Sequence, residues 1–100
     1  VPTKDDVMEA LHRVEDPELG MDIVDLGLVY DVEVGEGNVK VIHTLTSMGC
    51  PAGPMIQEDI VATVTESFED VNGVELELIW DPPWTPERMS DDAKFILGFG

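Results

Sequence analysis

Three short stretches of this chain alternate apolar and polar side chains, and a helix-like stretch separates the second from the third. Leu28, Tyr30, Val32 and Val34 alternate with Asp31 and Glu33; Val39, Val41, His43 and Leu45 alternate with Lys40, Ile42, Thr44 and Thr46; Val74, Leu76, Leu78 and Trp80 alternate with Glu75 and Glu77. A period of two sends every second side chain to one face, so each stretch is expected to be a half-buried strand. Gly35 to Asn38 supplies a four-residue loop, which pairs the first two strands as a β-hairpin. Before the third strand, Ile56, Ile60, Val64 and Phe68 step by four along a buried helix face, while Glu58, Asp59, Thr63, Glu66 and Glu69 face water. The helix starts either at Cys50 before Pro51 or at Gly53 before Pro54, and Asn72-Gly73 closes it.

The flanking segments add a helix at each end. Thr3 is a candidate N-cap, Asp5 and Asp6 sit in the first turn, and Val7, Met8, Leu11 and Val14 recur at helical spacing up to Pro17, which stops the helix. Glu15 to Gly27 reads as a loop or broken turn, rich in Asp, Pro and Gly, with Ile23, Val24 and Leu26 available to pin it to the core. Asp81-Pro82-Pro83-Trp84 ends the third strand, and a short last helix begins at Ser90 and runs to about Leu97 before Gly98. The order helix, strand, strand, helix, strand, helix predicts an α+β two-layer sandwich: a small mixed sheet of about three strands with helices mainly on one face. One domain over residues 1–100 fits the 100-residue length.

Charge narrows the partners. Twenty-two acidic residues against five basic ones give a formal net charge of −17, which opposes nucleic acid and anionic membranes. Self-repulsion at that density predicts a halophilic, high-salt setting in which counter-ions screen the charges. A merely acidic protein of ordinary cytoplasm is the alternative. No stretch has the length of a membrane span and no signal-peptide layout opens the chain, so a cytoplasmic location is expected.

The single cysteine, Cys50, cannot close an internal disulfide, so it is either inert filler or a working thiolate. It falls between a strand and a helix, where free backbone N–H groups and the positive end of the helix dipole favour an anion. The acidic surface acts in the opposite direction. Thr46 and Ser47 place hydroxyls ahead of Cys50, Gly49 permits close backbone approach, and Pro51 stiffens the chain behind it. A second group is Asp16-Pro17-Glu18, whose carboxylates can ligate a metal or orient a basic group, or in the case of Asp16 simply stabilise a turn. His43 falls on an apolar strand face, where a core histidine with one hydrogen bond is the favoured reading over a metal ligand.

D-P-E, then D-L-G-L-V-Y, then T-L-T-S-x-x-C-P-A, then W-D-P-P-W-T-P-E-R-M-S, in that order, resemble the SufT/PaaD-like family of iron–sulfur cluster assembly domains, from about Val7 to Leu97. The resemblance implies a two-layer α/β fold and an accessory role in cluster assembly, transfer or targeting, centred on Cys50. It carries site roles to Asp16, Glu18 and Leu19 in the first motif and to Thr46, Ser47 and Cys50 in the third. The partners it implies are an iron–sulfur scaffold and client apo-proteins, and the cargo is an iron–sulfur cluster or iron, bound transiently. Mrp-type relatives carry a P-loop; no G-x-x-x-x-G-K-[ST] occurs here, so a stand-alone domain is expected. The phenylacetyl-CoA oxygenase subunit of the family carries extra C-terminal cysteines that this sequence lacks.

Clusters are commonly held by four thiolates, and this chain has one. A cluster would need a homodimer, a partner's ligands, a small thiol, or oxygen ligands such as Asp16 and Glu18. A factor with too few ligands suits transfer or adaptor work without turnover of its own. Two other readings remain open: a thiol-dependent enzyme or oxygenase subunit built on Cys50, and an interaction module in which Trp80 and Trp84 form a docking patch.

Overall fold

The computed structural model of the protein describes residues 2–46 and 51–98. Its elements are α1 (Lys4–Leu11), β1 (Glu15–Asp16), β2 (Met21–Asp22), β3 (Val29–Val34), β4 (Asn38–His43), α2 (Gly53–Ser67), β5 (Gly73–Leu78) and α3 (Asp91–Leu97), with a 3-10 turn at Pro86–Arg88. The α+β expectation holds, and the main sheet is mixed with strand order β3-β4-β5. β3 and β4 form the expected hairpin, with Val34 opposite Val39; β5 lies parallel to β4, with Asn38 opposite Gly73 and His43 opposite Leu78. Parallel neighbours need a long crossover, and α2 is that crossover.

The sheet has one dry face. Val32, Val39 and Val41 are buried there with Val7 and Leu11 of α1 and Ile56, Ile60 and Val64 of α2 in one core cluster. The opposite side keeps its charges: the Lys40 ammonium lies 2.9 Å from Glu77 and 3.6 Å from Glu75. No helix among the described residues is long and apolar enough to cross a membrane.

Local chemistry explains the helix ends. Thr3 and Asp6 form a reciprocal capping box on α1, and the Ser90 hydroxyl accepts the Ala93 N–H at the start of α3. α3 ends before Gly98 as the sequence predicts, and Gly98 takes the left-handed conformation. α2 starts at Gly53 before Pro54 rather than at Cys50 before Pro51.

Several boundaries differ from expectation: β3 opens at Val29 rather than Leu28, β4 runs only from Asn38 to His43 and so leaves a three-residue loop, and α2 closes at Ser67 ahead of Asn72-Gly73. α1 ends at Leu11 rather than near Pro17, because residues 12–14 tighten into i→i−3 bonds and the Val14 carbonyl is taken by the Ile23 N–H at 2.9 Å. The segment Glu15 to Gly27 is accordingly more than a loop, since β1 and β2 pair antiparallel within it. β5 stops at Leu78, short of Trp80, and Phe68 has extended backbone as the C-cap of α2 rather than a fourth helical step.

Candidate functional site

The D-L-G-L-V-Y and W-D-P-P-W motifs and the described start of the third motif, Thr44 to Thr46, lie at one end of the main sheet. Val29, which opens β3, pairs with His43, which closes β4, and His43 pairs in turn with Leu78, the last residue of β5. The chain just beyond each strand is stitched to the others: Thr44 N–H donates to the Leu28 carbonyl at 2.8 Å, and Ile79 N–H to the His43 carbonyl at 2.9 Å. D-L-G-L-V-Y and the W-D-P-P-W segment also meet here. The Trp84 indole N–H donates to the Leu26 carbonyl at 2.6 Å, the Tyr30 hydroxyl to the Pro82 carbonyl at 2.7 Å, and the Ser90 N–H to the Asp25 carbonyl at 2.7 Å. The Arg88 guanidinium lies over the Tyr30 ring, 4.5 Å from its centre.

Asp16, Pro17, Glu18 and Leu19 form a tight turn between β1 and β2. Asp16 is 1% exposed, its Oδ1 accepts the Glu18 N–H at 2.9 Å, and its carbonyl accepts from Leu19 and Gly20. One role of Asp16 is therefore to hold this turn, the structural alternative open in the sequence. Glu18 is exposed and Leu19 packs half-buried against the core. Thr46 is half-buried beyond the end of β4. Ser47 and Cys50, the expected working thiolate, lie outside the described residues.

The start of α2, which follows Cys50 in the chain, is described and is unlike the other two helix starts. α1 and α3 each have a side-chain cap and two acidic residues in the first turn: Asp5 and Asp6, and Asp91 and Asp92. The α2 start has Ala52 as N-cap, no side-chain cap bond, and no acidic residue in its first turn. Among the described residues no side chain caps it, and the positive dipole end favours an anion. A Cβ added at Gly53 would come within 2.9 Å of the Leu45 side chain, so glycine lets the helix start close against the chain leaving β4.

His43 is 1% exposed, and its Nε2 lies 3.3 Å from the Gln57 side-chain nitrogen. It is the expected core histidine with one hydrogen bond. Burial pushes its pKa below the ordinary 6.5, so it is neutral at pH 7. Its Nδ1 and the hydroxyl of Thr44 are buried with no hydrogen-bond partner among the described residues. Trp80 and Trp84 are half-buried and pack against the core, so much of each ring serves packing.

One cluster escaped the sequence reading. His12 Nδ1 lies 2.9 Å from Asp22 Oδ2 and 4.0 Å from Asp25 Oδ1, and one ligand atom from each of the three falls within 4.8 Å of the others. Asp22 Oδ2 also accepts the Val24 and Asp25 N–H groups, so it organises the loop before β3. Asp25 is held above the ordinary 3.8, first by its hydrogen bond to Asp22 and then by burial. Two aspartates three apart after a helix ending in histidine were the available signal, but nothing local brings the helix end onto them.

Residues 4–76 match the profile of the iron–sulfur cluster assembly protein family. The chain is 47% identical to the Fe-S protein maturation auxiliary factor YitW of Bacillus subtilis, covering 95% of this chain and 93% of that one. It is 54% identical to the auxiliary factor SufT of Staphylococcus aureus, covering 85% of this chain and 97% of that one. The crystal structure of a domain of unknown function from Bacillus anthracis superimposes with a TM-score of 0.92 at 42% identity, covering 97% of this chain and 92% of that one. On this match and these relatives, the chain belongs to the iron–sulfur cluster assembly protein family.

Proposed function

We propose that this protein is an accessory factor that helps assemble, transfer or target iron–sulfur clusters to client proteins, with Cys50 as its working thiolate. The observation that carries the reading is the start of α2, left without a side-chain cap or acidic residue in a chain of 22 acidic residues. That helix end favours an anion, and the residue three places before Gly53 is Cys50. A thiolate is the form that ligates iron. The maturation roles of the relatives at 47% and 54% identity favour this reading over a thiol enzyme or an oxygenase subunit.

In this reading the cluster or iron is cargo. Cys50 supplies one soft ligand, Asp16 and Glu18 supply oxygen ligands or charge, and Thr46, Ser47 and Leu19 complete the surroundings. Remaining ligands come from a scaffold, a client, a small thiol or a second copy. Trp80 and Trp84 would meet such a partner with the parts of their rings that are not packed.

Cys50→Ser tests the proposal. The change is nearly isosteric and keeps an acceptor for the helix donors, so stability is expected to stay within ~1 kcal/mol of the parent. A serine hydroxyl is a hard, scarcely ionised ligand, so iron–sulfur enzymes should lose activity in cells carrying the variant as their only copy. A destabilised variant with normal iron–sulfur enzymes would identify Cys50 as structural filler.

A further inference from the structure

β5 forms one edge of the main sheet: among the described residues it pairs with β4 alone. An unpaired edge offers a row of backbone N–H and C=O groups to an incoming strand. Beside it α2 presents apolar side chains separate from the buried row of Ile56, Ile60 and Val64. Pro54, Val61 and Ala62, interleaved with Gln57, Glu58, Thr65 and Glu66, line an open groove of about 610 Å³ together with Leu76 of β5. Val61 on the helix and Leu78 at the end of β5 are 37% and 38% exposed.

A sheet edge flanked by a helix groove suits strand addition, in which main-chain bonds fix the segment and alternate side chains drop into the groove. Charge identifies the occupant. Glu58 and Glu66 rim the helix side of the groove, and Glu75 and Glu77 project on the other side of β5, where Lys40 is the cation between them. A second copy would set Glu75 and Glu77 against their own counterparts, adding to the repulsion of a chain with net charge −17.

We propose that the groove between α2 and the β5 edge binds an extended segment of a partner protein, alternating apolar residues with lysine or arginine. Its apolar side chains lie on Val61, Ala62 and Leu76, and its cations face the Glu75 and Glu77 row. The groove begins at Pro54, in the first turn of α2. Identifying the segment with a client or scaffold rests on the maturation role; the binding itself does not.

The test uses no iron, so it can fail independently of that role. A blocked seven-residue peptide alternating lysine and valine is titrated into the 15N-labelled protein in about 1 M KCl, where screening suppresses diffuse attraction to the acidic surface. Expected are saturable amide shifts in Gly73–Leu78 and around Val61, cross-strand contacts from the peptide to β5, and weakening by about tenfold in Val61→Lys and in Thr65→Lys. Both positions are exposed, and a melting curve of each variant establishes that it is folded. A peptide of the same composition in non-alternating order should bind at least about fivefold more weakly, since it cannot put all its valines on one side. The proposal is overturned by shifts spread over the acidic surface, by equal binding of the reordered peptide, or by folded variants that bind as the parent does. It is also overturned if the same residues shift with protein concentration alone, which would make a second copy the occupant.

Discussion

Gln57, in the second turn of α2, reaches across to the last residue of β4, its side-chain nitrogen 3.3 Å from His43 Nε2. This contact joins the helix to the central strand at the end of the sheet where β4 stops. It also gives the buried imidazole a polar neighbour that is itself half-buried.

A pH dependence follows. Burial lowers the His43 pKa from 6.5, so between the folded and unfolded values the unfolded chain binds more protons. Stability from this group is fully present above pH 6.5 and is lost as pH falls toward the folded value. His43→Leu should remove that part of the slope, leaving stability at pH 7.5 within ~1.5 kcal/mol of the parent. Denaturant melts of both proteins from pH 7.5 to pH 5 provide the check; parallel curves would show that His43 does not set the slope.

Asp25 acts with the opposite sign. Its pKa is raised, so its ionised form is disfavoured by folding, and its contribution worsens as pH climbs through the folded value. Asp25→Asn should therefore stabilise the protein at pH 7, by about 0.5 kcal/mol after allowance for solvent screening. The gain should vanish well below pH 3.8, where the carboxyl is protonated in both states. A loss of stability at pH 7 would mean that the attraction of His12 outweighs the repulsion of Asp22.

Two glycines in the left-handed region should respond differently to alanine. At Gly27, φ is +78° and a Cβ would come within 2.3 Å of the Arg88 carbonyl oxygen. At Gly20, φ is +70° with nothing within 4 Å of the added carbon. Gly20→Ala is expected to cost about 1 kcal/mol from backbone strain alone, and Gly27→Ala more than ~3 kcal/mol because the Arg88 backbone must also move. Urea melts measure both, and equal losses would show that the Gly27 contact is easily relieved.

Salt tests the charge balance. The cations number five, and of these Lys4 pairs with Asp31, Lys40 with Glu75 and Glu77, Arg13 with the Ser67 hydroxyl, and Arg88 stacks on Tyr30. Screening weakens these contacts but relieves far more repulsion among 22 carboxylates. Between about 0.1 M and 1 M KCl the melting temperature should rise by more than ~5 °C. No rise would refute the high-salt adaptation.

What the sequence determined by itself is what depends on neighbours along the chain. The alternation around Val32 and Val41 predicts the hairpin, the four-residue step of Ile56, Ile60 and Val64 predicts α2, and Ser90 and Gly98 bracket α3, because periodicity and caps act within a few residues. Asp16 stabilising its turn was also legible, since the carboxylate and the Glu18 N–H are two residues apart. The tertiary structure decided what depends on distant partners. α1 stops at Leu11 because the Val14 carbonyl finds Ile23, and Trp84 turns inward because the Leu26 carbonyl, 58 residues earlier, accepts its N–H. The meetings of His12 with Asp22 and of Gln57 with His43, and the place of β5 at an edge beside α2, arise the same way. Each needs the packing of separate elements around one core, which no local pattern encodes.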